Sequence, residues 1–163
     1  MHLETKARRD IQVVANEADV RRCWPTFHEL RPHLRSETEF VERWRKQSAE
    51  GYQIVYVTEG GAVAAAAGYR FFNTMAWGHI LYIDDLVALP ILRGKGLGTL
   101  LLQYVQAEAR RAGCDSIQLD TGYQRHSAHL AYLRNGFRID CHHMAWLVDR
   151  DGFDHRGDHH VAA

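Results

Sequence analysis

Three groups of residues have the types and spacing for chemistry. The run Arg93-Gly94-Lys95-Gly96-Leu97-Gly98-Thr99 places a glycine at every second position, between Pro90 and a strongly apolar-periodic stretch. The first amides of a helix lack partners within it and sit at the positive end of its dipole, so a glycine-rich turn into a helix attracts an anion. Glycines let the backbone approach a phosphate closely, and Arg93 and Lys95 add positive charge. Upstream, Asp84 and Asp85 lie nine and eight residues before Arg93 and could accept a proton or bind an ammonium. Downstream, Tyr132 offers a phenol that can donate one.

The elements that must position these groups follow from the apolar pattern. Ile80 to Leu89 reads as a buried strand, stopped by Pro90, which has no amide for a ladder. From Leu97 the apolar residues recur at Leu101, Val105, Ala109 and Ala112, one face of a helix that Gly113 closes. Before them come a short strand at Ile11 to Val14, a helix over about 17–30 capped by Asn16 and interrupted by Pro25, and a helix from the Ser36/Glu39 capping box to about Ala49. Gln53 to Thr58 and Ala62 to Phe71 read as a hairpin across Glu59-Gly60-Gly61. After the phosphate loop come a strand at Ser116 to Asp120, a helix at Ser127 to Asn135, and one bent strand or two over 138–148. Alternation along a regular strand predicts that Asp84 and Asp85 point to opposite faces.

Two familiar phosphate loops fit poorly. A Walker A loop needs four residues between its first glycine and Gly-Lys-Ser/Thr, a spacing absent here. A dinucleotide fingerprint, Gly-x-Gly-x-x-Gly, fails at Thr99 counting from Gly94 and at Leu101 counting from Gly96, although Asp120 lies roughly where a ribose-binding acid is expected. By contrast, Arg93 to Gly98 resembles the Arg/Gln-x-x-Gly-x-Gly/Ala loop of the GCN5-related N-acetyltransferase (GNAT) family. Ala131-Tyr132-Leu133-Arg134-Asn135-Gly136-Phe137 resembles that family's Phe-Tyr-x-x-x-Gly-Phe segment, and Tyr82-Ile83-Asp84-Asp85 resembles the Leu-Glu-Asp segment of its polyamine and thialysine branch. The order of elements matches the family along the whole chain.

The resemblance implies an α/β (α+β) fold: a mixed, mostly antiparallel sheet of six to seven strands flanked by about four helices. It implies acetyl-coenzyme A as acyl donor, held by Arg93, Gly94, Lys95, Gly96, Leu97, Gly98 and Thr99, with Ser127 near the pantetheine arm. Backbone amides of Leu86, Val87 and Ala88, where the central strand splays, would meet the acetyl carbonyl. Tyr132 would serve the departing sulfur and Asp84 the amine proton. Asp85, Phe27, Tyr69 and Phe71 are candidates for the acceptor side, with Trp24 and His28 beside Phe27 and with His79 as an alternate base. The sequence departs from the family pattern at Arg125, where an asparagine is usual seven residues before the tyrosine.

Composition narrows the partners. Of 163 residues, 20 are Lys or Arg and 20 are Asp or Glu, so no net field draws nucleic acid or an anionic membrane. No apolar run approaches the roughly 18 residues of a membrane span. An odd set of three cysteines, Cys23, Cys114 and Cys141, suits reduced thiols in a cytoplasmic protein. No zinc-type Cys/His spacing occurs, and no metal is expected. The expectation is a single N-acetyltransferase domain over 1–148, a polar tail over 149–163 whose histidines belong to a solvated end, and a small-molecule amine as acceptor. A homodimer is compatible with it. Two alternatives stay open: a catalytically silent acyl-coenzyme A binding module, or acetylation of a protein amine.

Overall fold

The structure is a computed structural model that describes residues 10–146 and Val148. The expected tail, residues 149–163, lies outside the described residues. The chain runs β1 (Ile11–Val13), α1 (Glu17–Leu30), α2 (Glu37–Ala49), β2 (Gln53–Glu59), β3 (Ala62–Thr74), β4 (Gly78–Ala88), a 3-10 turn at Pro90–Leu92, α3 (Leu97–Arg111), β5 (Ser116–Leu119) and α4 (His126–Arg134). The strands form one sheet in the order β1-β2-β3-β4-β5. β1 to β4 pair antiparallel, and β5 joins β4 in parallel after the α3 crossover.

Two apolar layers hold the helices to the sheet. On one face, Val20, Cys23, Phe27 and Leu30 of α1 and Phe40 and Val41 of α2 pack on Ile54, Tyr56, Ala66 and Val87. On the other, Leu97, Leu101, Leu102 and Val105 of α3, with Tyr132 of α4, pack on Val55, Ala65, Ala67, Leu81 and Ile83. The run of alanines at 64–67 is fully buried, which lets helices approach β3 closely on both faces. Thr26, also buried, donates to the Val63 carbonyl at 2.7 Å and ties α1 to that strand.

The caps read from the sequence are present: Asn16 Oδ1 accepts from the Asp19 amide at 3.1 Å, and Ser36 Oγ from the Glu39 amide at 3.1 Å. Two expectations are corrected. Helix α1 runs through Pro25 without interruption. Pro25 lies on the exposed face, where the Arg21 carbonyl that loses its amide partner can turn to water, while the buried stripe on the other face holds the helix. The sheet has five strands among the described residues instead of six to seven, and residues 138–146 form no strand. Ile139, Met144 and Trp146 are exposed there, so the segment buries no apolar face against the sheet.

Candidate active site

A cavity of about 550 Å³ opens between the α1/α2 layer and the β3–β4 hairpin. Both Asp84 and Asp85 line it, contrary to strict alternation. The reason is a β-bulge: Gly68 pairs with Asp85 and Tyr69 with Ile83, so Asp84 is the extra residue on β4 and resets the side-chain alternation. One inserted residue thus turns two neighbouring carboxylates into the same space.

Their partners differentiate them. Asp85 is 7% exposed; its Oδ1 accepts from Arg31 Nε at 2.9 Å and Nη2 at 2.6 Å, and its Oδ2 accepts from the Tyr52 hydroxyl at 2.5 Å. Both of its oxygens are therefore engaged by protein. Asp84 Oδ1 accepts from Arg70 Nη2 at 2.9 Å, whereas its Oδ2 is buried with no hydrogen-bond partner. Burial pushes the Asp84 carboxyl up to about 6, with Asp85 adding to the rise and Arg70 opposing it. Desolvation by the same burial, together with Asp85, holds the Tyr52 phenol well above its ordinary value, so it stays a donor.

Gly68 makes this arrangement possible. A Cβ at Gly68 would stand 1.8 Å from the Tyr52 hydroxyl and 2.3 Å from its Cζ. Gly68→Ala is therefore expected to break the Tyr52–Asp85 bond and to destabilise the fold by about 1–3 kcal/mol, read as a lower urea midpoint.

Phe27, 2% exposed, lines the cavity, and Trp24 stands nearby, with its ring centroid 4.7 Å from that of His28 and 5.6 Å from that of Phe40. Tyr69 and Phe71 are elsewhere: they pack edge to face at 5.8 Å in the layer beneath α3, on the opposite face of the sheet. Unbroken alternation along this part of β3 puts Arg70 and Phe72, not Tyr69 and Phe71, on its cavity side, where Arg70 sits over the Phe72 and Tyr82 rings at 5.6 and 5.8 Å. His79 stacks on Phe71 at 6.1 Å and does not line the cavity. Arg31, Tyr52, Arg70, Tyr82 and Asp120 also line the wall, with the Tyr82 hydroxyl donating to Asp120. None of these is among the acceptor-side candidates of the sequence. The readable signal was the hairpin register, which sets Arg70 opposite Tyr82.

At the other end of β4 the ladder is one-sided. Pairing with β5 ends at Ile83, while pairing with β3 continues to Ala88. The Leu89 amide donates to the Ala64 carbonyl at 2.9 Å, so alternation turns the Val87 amide toward β3 and those of Leu86 and Ala88 toward the open edge. Two of the three expected amides are thus available there.

The glycine loop follows directly. Gly94 and Gly96 have φ of +77° and +81°, left-handed conformations that a side chain resists, and Gly96 is the N-cap of α3. The first intrahelical bond runs from the Leu100 amide to the Gly96 carbonyl at 3.0 Å, which leaves the amides of Leu97, Gly98 and Thr99 without helical partners. A Cβ at Gly94, Gly96 or Gly98 would meet nothing within 4 Å, so the cradle has room for a pyrophosphate between Arg93, Lys95 and the helix start. Gly96→Ala is expected to weaken acetyl-coenzyme A binding about tenfold in calorimetry, because the left-handed φ costs a side chain roughly 1–2 kcal/mol.

Helix α4 is fastened to the start of α3. Asn135 Nδ2 donates to Thr99 Oγ1 at 3.4 Å and to the Ala131 carbonyl at 2.8 Å, and Gln106 Nε2 donates to the Asn135 carbonyl at 2.7 Å. Tyr132, 7% exposed, packs edge to face on Phe137 at 5.7 Å. Burial raises its phenol to about 12, against the charge of Arg125. Arg125 is itself lowered by burial and by the charges of Arg31 and Arg93, and its Nε is buried with no partner. Arg125 thus stands within electrostatic reach of the cavity, the glycine loop and Tyr132 together. Ser127 is exposed in the first turn of α4.

A carboxylate-lined cavity at a bulge of the sheet, with an open helix start beyond the same strand, is an arrangement that suits group transfer from a phosphate-bearing donor. The sequence pattern of the Acetyltransferase (GNAT) family matches residues 17–137, and the chain belongs to that family of acetyl-coenzyme A dependent N-acetyltransferases. It is 33% identical over 120 residues to the uncharacterized N-acetyltransferase YhdJ of Bacillus subtilis, covering 73% of this chain and 84% of that one. A shorter match, 43% over 56 residues, covers 34% of this chain and 36% of the aminoalkylphosphonate N-acetyltransferase of Salmonella typhimurium. The fold superposes on glucosamine-6-phosphate N-acetyltransferase from Arabidopsis thaliana with a TM-score of 0.66 at 21% identity, covering 86% of this chain and 99% of that one. Among the described residues no helix is long and apolar enough to cross a membrane, and no group of three His, Cys, Asp or Glu is placed to hold a metal.

Proposed function

We propose that the chain acetylates the primary amine of a small molecule by direct attack within a ternary complex. The observation that carries this reading is Asp84 Oδ2, a buried carboxylate oxygen without a partner on the wall of a cavity of about 550 Å³, a size suited to a small ligand. The two named relatives, an aminoalkylphosphonate and a glucosamine-6-phosphate N-acetyltransferase, act on small acceptors by their names and support it.

The cradle's free amides at Leu97, Gly98 and Thr99, with Arg93 and Lys95, would hold the pyrophosphate of acetyl-coenzyme A. That group supplies an activated thioester. Leu86 and Ala88 amides at the open edge would donate to the acyl oxygen as negative charge develops on it. Asp84 binds the ammonium and takes its proton. From an alkylammonium near 10.4 to a carboxylate at about 6 the transfer is uphill by roughly 4 units, or about 6 kcal/mol, against about 9 kcal/mol for an unshifted aspartate. Tyr132 donates to the departing sulfur. With its phenol at about 12 and a thiol reference near 8.5, complete transfer would cost about 5 kcal/mol, so hydrogen-bond donation to the thiolate is the role that fits. The N–C bond forms and the C–S bond breaks; nitrogen gives up two protons, the first to Asp84 and from there to solvent, the second, lost as the intermediate collapses, neutralising the departing thiolate.

Initial rates measured against acetyl-coenzyme A and a small primary amine test the reading. Intersecting reciprocal lines are expected. Parallel lines, or a protein that retains the acetyl group without an amine, would contradict direct attack.

A further inference from the structure

The acceptor cavity is not an acidic trough. Arg31, Arg43 and Arg70 line it together with Asp84, Asp85 and Asp120, so the wall carries equal numbers of opposite charges. Hydrogen bonding within the wall is incomplete on both sides: Asp84 Oδ2 lacks a partner, and so do the donors Arg31 Nη1 and Arg70 Nε, all three buried. Unpartnered buried charged groups of both signs are costly, and a ligand bearing both signs would satisfy them together. A diamine would engage Asp84 alone and bring a second cation against two guanidinium groups.

We propose that the acceptor is a zwitterion, a primary amine carrying a nearby oxyanion, carboxylate or phosphonate, with the ammonium on Asp84 and the oxyanion on Arg70 and Arg31. This rests on the acetyl-transfer reading above. The spacing is set by the ion pair itself. Arg70 Nη2 lies 2.9 Å from Asp84 Oδ1, so the two side chains adjoin and a ligand that meets both must carry its charges a short chain apart. Arg70 is the better probe of the two arginines, because Arg31 also carries Asp85 and the Asp84 carbonyl, and its loss would disturb the site's frame.

The test compares β-alanine and 2-aminoethylphosphonate with propylamine and 1,3-diaminopropane, primary amines of similar size, by acetyl-coenzyme A dependent thiol release. At least tenfold higher kcat/KM is expected for one or both zwitterions, as a charge-assisted hydrogen bond to the oxyanion supplies. In Arg70→Gln that ratio should collapse toward one, through KM for the zwitterion, and Arg70→Lys should restore part of it. Equal or better turnover of propylamine or the diamine, or a ratio unmoved by Arg70→Gln, would overturn the proposal while leaving acetyl transfer intact. Absence of turnover with all four amines would count against the acetyl-transfer reading itself; titration of the coenzyme A-loaded protein with the same amines then decides this proposal, which preferential binding of the zwitterions supports and equal binding overturns.

Discussion

Replacing Asp84 with asparagine is expected to lower kcat/KM by about 100- to 10,000-fold, the range removed with a positioned general base. The pH profile carries the sign. The carboxyl is raised to about 6, so it is protonated and inactive as a base below that pH and ionised above it. In the wild type kcat/KM should therefore rise tenfold per pH unit up to about 6 and then level; in Asp84→Asn that limb should vanish. Attack by free amine without a base would instead give a rise that continues toward pH 10 with no break at 6. Stability separates a catalytic from a structural loss. A carboxyl raised in the folded state makes the fold less stable, not more, as pH rises from its reference 3.8 through about 6, so the isosteric amide should not lower the melting temperature at pH 7.5.

The second large effect is expected at Tyr132. Tyr132→Phe keeps the ring that packs on Phe137 and removes only the hydroxyl. Loss of one charge-assisted hydrogen bond to the departing thiolate should reduce kcat about 10- to 100-fold. Acetyl-coenzyme A binding, measured by calorimetry, should change little, because the cradle is built from the α3 amides rather than from α4. An unchanged kcat would remove Tyr132 from the reaction. Arg125, which stands where the family usually has asparagine, bears a charge that opposes the rise of the Tyr132 phenol.

The cradle was readable in the sequence because it is local: Gly94, Gly96 and the start of α3 depend on residues adjacent in the chain. The family motifs at Arg93 and Tyr132 carried the same information from a distance. The acceptor side was not readable in the same way. Tyr69 and Phe71 lie on the far face by the unbroken alternation of that part of β3, while the geometry of the acceptor side depends on a register shift opposite Gly68 that places Asp84 and Asp85 on one face. Alternation predicts the opposite, and only pairing between β3 and β4 reveals the extra residue. Arg31 reaches Asp85 across 54 residues of sequence, and Tyr52 reaches it across 33, so neither contact has a local signature. The strand expected over 138–148 also depends on distant partners: Met144 and Trp146 supply apolar residues, but residues 138–146 pair with no strand of the sheet.

The most direct test of the account is mass-spectrometric detection of product after incubating the protein with acetyl-coenzyme A, a panel of small primary amines that includes zwitterions, and a lysine-containing peptide. The account predicts one acetyl group on a small amine, equimolar free coenzyme A, and dependence on both substrates. Acetylation of the peptide alone, or binding of acetyl-coenzyme A with no acetylated small amine, would contradict it.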